Sequence, residues 1–204
     1  MFPDQRLAAG VARLALRYRG HFSAETIQRV VTDSYDRLAQ HARVHSHLVV
    51  LAEHLAPERL DALAHAERTP GVGPPRVLSV CAHNADRSQM AAALLDHRAA
   101  GRMAVSSAGT HPASDVEPAV VQILTEAGLN LTEAFPKPLT DEVVQAADIV
   151  ITMGCADACP VVPGRRYLDW PITDPEGAPV AVVRGIRDEM DARITGLLAS
   201  LPHA

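Results

Sequence analysis

No stretch of this 204-residue sequence approaches the ~18 consecutive apolar residues of a membrane span. Its first residues, Met1-Phe2-Pro3-Asp4-Gln5-Arg6, lack the apolar run that a secretory signal needs. Cysteine is scarce: three in all, an odd number and too few for a disulfide scaffold. Each thiol is therefore expected to be free, metal-bound or catalytic in a reducing compartment, which makes the cytoplasm the expected location. A basic excess is also missing. The formal charge of −5 divides into 9 basic and 8 acidic side chains over residues 1–70, and 10 and 16 over 71–204. Neither part carries the electrostatic footprint of a nucleic-acid binder, and neither nucleic acid nor membrane is an expected partner. What is present is an ordinary globular mixture, 48% hydrophobic and 21% charged, on a chain long enough to bury a core.

Thr69-Pro70-Gly71-Val72-Gly73-Pro74-Pro75 can neither continue a helix nor join a sheet interior, so it divides the chain into residues 1–70 and 71–204. The first part reads as an all-α bundle of three or four helices. Leu7, Val11, Leu14 and Tyr18 share one face, and Ser23 caps a helix striped by Ile27, Val30, Val31, Tyr35 and Leu38. Leu48 to Leu55 form a third helix, and Pro57 is expected to open a further short one. His41 and His45 stand four apart, but with no third ligand in view they read as a solvated face. The second part alternates: strands at Val77–Val80, Met103–Ser106 and Ile149–Met153, and helices from about Ser88, from a Ser114/Glu117 capping box, from Thr140, and along the Val183–Leu201 stripe. Such alternation implies an α/β domain with a small parallel sheet covered by helices on both faces.

The first strand runs into Cys81-Ala82-His83-Asn84-Ala85-Asp86-Arg87-Ser88, just ahead of a helix. A loop of this length can wrap an anion with backbone N–H groups and pass it to a helix N-terminus, where the dipole is positive. Ala82, His83, Asn84, Ala85, Asp86 and Arg87 are the candidate oxyanion binders, with the Arg87 guanidinium forking onto two oxygens. Cys81 is the candidate nucleophile, expected to be ionised near neutral pH, with the Ser88 hydroxyl donating to its sulfur.

These residues resemble the phosphate loop of the low-molecular-weight protein tyrosine phosphatase superfamily. Asn84 stands where that family keeps an asparagine bonded within the loop. Ser106-Ser107-Ala108-Gly109-Thr110 is similar to its Ser-Ala-Gly-Thr segment, and Asp174-Pro175 to its general-acid loop. The likeness covers residues 76 to about 201 and implies a four-stranded parallel sheet with Asp174 as the acid. Ser88-Gln89-Met90-Ala91 resembles the arsenate reductase branch, since phosphatases usually carry proline at the place of Gln89. Residues 1–68 resemble, more weakly, a helical bundle that precedes some actinobacterial members, where self-association into a homodimer is the expected role.

Cys155 and Cys159 follow the third strand. From the residues alone they are half of a metal site lacking its other half, two small apolar side chains, or a redox pair. No metal is expected. The resemblance places them where the reductase branch keeps resolving thiols, and two thiols becoming one disulfide supply the two electrons that arsenate needs. It implies a relay from Cys81 to Cys155 to Cys159, with thioredoxin or a small thiol as external reductant and no bound cofactor. Two alternatives stay open: a tyrosine phosphatase that discharges a phosphocysteine with water, and a mycothiol-dependent reductase that needs neither Cys155 nor Cys159.

Overall fold

A computed structural model describes residues 5–66, 73–155 and 158–201. Most of the linker sequence lies outside the described residues, as do Ala156 and Asp157. The chain forms two compact units, one of Met1–Pro70 with Thr140–Ala146, the other of Gly71–Leu139 with Ala147–Ala204.

The first unit holds α1 (Gln5–Arg17), α2 (Ala24–Ala39), α3 (Leu48–Ala66) and the short α6 (Asp141–Ala146). Ser23 caps α2 as expected, its hydroxyl accepting from the Thr26 N–H at 3.1 Å. Pro57 does not open a fourth helix. It sits inside an unbroken α3, where Leu55, Ala56, Leu60 and Ala62 are buried on either side of it. Burial of this stripe outweighs the loss of one ladder hydrogen bond. The interior also holds a charge. Arg59, 5% exposed, donates to the Ser34 hydroxyl at 2.8 Å and pairs with Asp33 at 2.6 Å and with Glu142 of α6. Burial pushes the Asp33 carboxyl up, but hydrogen bonds from Arg37 and Arg59 outweigh it and hold the group below its ordinary range.

The second unit is the α/β layer structure expected. Strands β1 (Arg76–Cys81), β2 (Ala104–Gly109), β3 (Ile149–Met153) and β4 (Arg166–Asp169) form one parallel sheet in the order β2-β1-β3-β4. Around it lie α4 (Arg87–Ala99), α5 (Pro118–Glu126) and α7 (Val180–Ala199). The stripe Val183, Ile186, Met190, Ile194 and Leu197 is buried with Val77, Met90, Leu95 and Ile151 in one core. Two capping expectations fail. Ser114 does not start α5, whose first residue is Pro118 with Glu117 before it, because proline supplies a helical φ and has no N–H to cap. At α6 the Thr140 hydroxyl is buried without a hydrogen-bond partner rather than capping the helix. In register, Cys81 at the end of β1 stands beside Gly109 and Met153, the last residues of β2 and β3. The chain crosses from β1 to β2 on one side and to β3 on the other, so Cys81 lies at the point where the strand order reverses.

Candidate active site

The loop after β1 is shaped by its carbonyls. The segment after β2 donates to them in turn: Thr110 N–H to Cys81, His111 to Ala82, Ala113 to His83 and Glu117 to Ala85, at 2.8–3.3 Å. Peptides whose C=O groups are drawn outward by this ladder turn their N–H groups the other way. The Asn84 N–H lies 3.2 Å from the Cys81 sulfur. Asn84 takes the left-handed conformation, φ 49°, that closes the loop. Its side chain is fully engaged, donating to Ser88 Oγ at 2.7 Å and accepting from the Lys137 N–H at 2.7 Å and from Gln89 Nε2 at 3.1 Å. Since Ser88 Oγ accepts from Asn84, its own proton is free for the Cys81 sulfur, 3.0 Å away.

Two glycines are required by what surrounds them. A Cβ at Gly109 would lie 2.9 Å from Ala82 O and from Asn84 N, both backbone atoms that cannot yield without deforming the loop. Gly154, at φ 75°, would place a Cβ 2.9 Å from Arg87 Nη1. The Gly109 requirement accounts for the Ser-Ala-Gly-Thr segment; that of Gly154 escaped the sequence reading, although a glycine directly after a buried strand was a signal for close backbone approach.

The electrostatics correct one expectation. Burial is the largest influence on Cys81 and pushes its thiol up, and Asp86 adds to this; the hydroxyl and N–H of Ser88 and the N–H of Asn84 pull the other way without prevailing. The sulfur is placed as a donor to Asp86 Oδ1, 3.4 Å away. The positive helix end is real, but Asp86 caps it, accepting the Arg87 N–H with a carboxylate only 3% exposed. Arg87 is buried as well. Its Nη2 donates to Asp174 Oδ2 at 2.5 Å, while its Nε is 3.6 Å from Asp86 Oδ1 and has no hydrogen-bond partner. A buried donor left unpaired costs ~1–3 kcal/mol, so the site favours a guest with an oxygen to accept it.

All six candidate residues lie within the second unit. Asp174 is brought to Arg87 from the loop before α7, and its Oδ1 accepts the Glu176 N–H at 3.0 Å. The Cys155 thiol, buried, donates at 3.3 Å to the carbonyl of Val80, the residue before Cys81. Burial pushes it up and the Arg87 charge draws it part of the way back. Cys159 is buried too, its thiol pushed up to about 11 by burial and by the neighbouring Cys155. All three thiols are free. Tyr167 clamps the chain just after Cys159: its hydroxyl donates to Pro160 O at 2.8 Å and accepts the Val162 N–H at 2.9 Å. Among the described residues no group of three His, Cys, Asp or Glu side chains could hold a metal ion, and no helix is long and apolar enough to cross a membrane.

Residues 76–204 match the family model described as low molecular weight phosphotyrosine protein phosphatase, and residues 6–64 match that of the protein-tyrosine-phosphatase-like N-terminal domain. The chain belongs to the low molecular weight phosphotyrosine protein phosphatase family. Within it, the chain is similar to a thioredoxin-dependent arsenate reductase of Corynebacterium glutamicum of known structure, with 48% identity, TM-score 0.87 and 98% of each chain covered. A putative arsenate reductase of Halobacterium salinarum is 34% identical over 58% of this chain and 87% of its own length. An arginine phosphatase of Geobacillus stearothermophilus is 28% identical, with TM-score 0.54, covering 64% of this chain and all of its own. The shared scaffold thus serves both reductases and phosphatases, and the thiols must distinguish them.

Proposed function

We propose that the chain is an arsenate reductase that works by a relay of three thiols and is regenerated by thioredoxin. One observation carries this reading: the Cys155 thiol bonds to the backbone next to the nucleophile, with a second buried thiol, Cys159, four residues on. A phosphatase has no use for such a pair. The names borne by the relatives, arsenate reductase among sequences and thioredoxin-dependent arsenate reductase among structures, support it.

In the relay, residues 71–204 are the catalytic domain. Backbone N–H groups of Ala82 to Arg87 and the Arg87 guanidinium bind arsenate, which draws Arg87 from Asp174. Sulfur of Cys81 attacks arsenic, an As–O bond breaks, and the departing oxygen leaves as water with the thiol's proton, Asp174 serving as the acid. Ser88 holds the sulfur in place through its hydroxyl. Cys155 then attacks the Cys81 sulfur; the S–As electron pair goes to arsenic, which leaves as arsenite, and the Cys155 proton passes to it. Cys159 attacks Cys155, the bond to Cys81 breaks, and Cys81 regains a proton. The Cys155–Cys159 disulfide is reduced by a thioredoxin dithiol, two thiols against one disulfide. Self-association through residues 1–70 belongs to the same reading, and light scattering that finds a monomer at tens of micromolar removes that part.

The test is arsenate with thioredoxin, thioredoxin reductase and NADPH, followed as NADPH loss and arsenite. The expected outcome is turnover for the wild type, none for Cys81→Ser, no arsenite from Cys155→Ser, and a single equivalent of arsenite from Cys159→Ser. Full turnover by Cys155→Ser with mycothiol would establish the small-thiol route instead. Phosphate-ester hydrolysis without arsenite release would establish the phosphatase.

A further inference from the structure

Asp86 is out of place for an anion site. Its carboxylate is 3% exposed, accepts the first helical N–H, that of Arg87, and lies 3.6 Å from the unpartnered Arg87 Nε. It therefore sits on two donors that a guest oxyanion would use. It also lies 3.4 Å from the Cys81 sulfur. A reacting centre must come within about 3–3.5 Å of that sulfur, and its oxygens must reach the Arg87 donors that Asp86 flanks, so a productive guest presents oxygens to Asp86. An ionised carboxylate can only accept hydrogen bonds. Against a bare oxyanion oxygen the contact is repulsion between two desolvated negative charges; against an oxygen that carries hydrogen it is a charge-assisted bond.

We propose that Asp86 makes the loop selective for tetrahedral oxyanions that still carry a proton, arsenate and phosphate, and rejects fully ionised ones such as sulfate. The inference rests on the oxyanion reading of the loop given above. Near neutral pH arsenate and phosphate keep at least one hydroxyl, and sulfate has none. The surroundings act in the same sense. Asp86 shares with Asp115, Glu117 and Glu176 the wall of a cavity of about 240 Å³ beside His83, so the field on that side of the loop is acidic. The effect on Cys81 agrees as well: Asp86 helps keep that thiol protonated, which prevents the sulfur from adding a second negative charge before the guest arrives.

The experiment is isothermal titration of the reduced full-length chain with phosphate and with sulfate near neutral pH at matched ionic strength. Phosphate is expected to bind roughly a hundredfold more tightly than sulfate, near the upper end of the fold-change to which the cost of an unsatisfied buried polar group converts. In Asp86→Asn the amide keeps an acceptor for the Arg87 N–H and adds a donor, so sulfate affinity rises and the ratio falls toward unity. Asp86→Ser, which keeps a capping oxygen without the charge, is expected to do the same. Sulfate binding by the wild type as tightly as phosphate overturns the inference, as does a ratio unchanged in both variants. If the wild type releases arsenite in the coupled assay while failing to discriminate, the inference alone falls. If it binds neither phosphate nor arsenate, the oxyanion reading falls and the inference with it.

Discussion

A glycine one residue past a strand is easily passed over, yet Gly154 decides where Arg87 can lie. Its φ of 75° and the 2.9 Å approach of Arg87 Nη1 to a virtual Cβ mean that alanine is disfavoured twice. Left-handed backbone costs a residue with a Cβ about 1–2 kcal/mol, and the guanidinium must also shift. Gly154→Ala is expected to weaken phosphate binding at least tenfold, about 1.4 kcal/mol, while far-ultraviolet circular dichroism stays unchanged. Unaltered affinity in calorimetry would show that Arg87 is not held by that contact. Cys81, Asn84, Arg87 and Ser88 were legible in the sequence because one loop carries them all and its chemistry is local. The protonation of Cys81 was not. It depends on burial beneath the sheet end and on which way the Asp86 carboxylate turns, and neither is a property of the loop's spelling.

Among the elements, β4 and α6 draw their meaning from partners distant in sequence. Strand β4 is four residues with half-exposed centres, too short and too little alternating for its pattern to stand out. It contributes Tyr167, which clamps Pro160 and Val162 while Val161 between them is 77% exposed. Tyr167→Phe removes both hydrogen bonds and keeps the ring. In a single turnover the arsenite burst is expected to match the wild type, while the Cys155–Cys159 disulfide, followed by mass spectrometry, forms several-fold more slowly. Equal rates for both steps would reduce Tyr167 to packing. Helix α6 buries Val144 and Ala146 in the first unit and offers Glu142 to Arg59. Arg59→Met leaves Glu142 without its cation. The expected cost is roughly 2–3 kcal/mol, below the full range for breaking a buried pair because Asp33 is 41% exposed. It is read as a lowered urea midpoint at constant m.

For the whole molecule, three buried thiols with raised proton affinity tie stability to alkaline pH. The clearest window belongs to Cys159. Between the ordinary thiol value of 9.0 and about 11, the unfolded chain has released this proton and the folded chain retains it. Over that range the folded state binds more protons, so stability falls as pH rises. Below 9.0 both states hold the proton and the slope from this group vanishes. Denaturant unfolding of the wild type is expected to show this decline, and Cys159→Ser a shallower one; parallel curves would contradict the burial of that thiol.

The amino-acid sequence by itself determined what local pattern can carry: helices with one apolar stripe, parallel strands between them, a thiol and a guanidinium with five residues between them at a helix start, and a spare pair of cysteines. Periodicity and loop length are properties of neighbours in the chain, so no tertiary knowledge was needed to read them. Only the tertiary structure decided that α3 runs through Pro57, that α6 packs against α3, that Asp174 reaches Arg87, and that Cys155 bonds to the backbone beside Cys81. These are contacts across 75 residues or more, or burial gains summed over a whole face. Their free energy belongs to the packed state, which no short window of sequence contains.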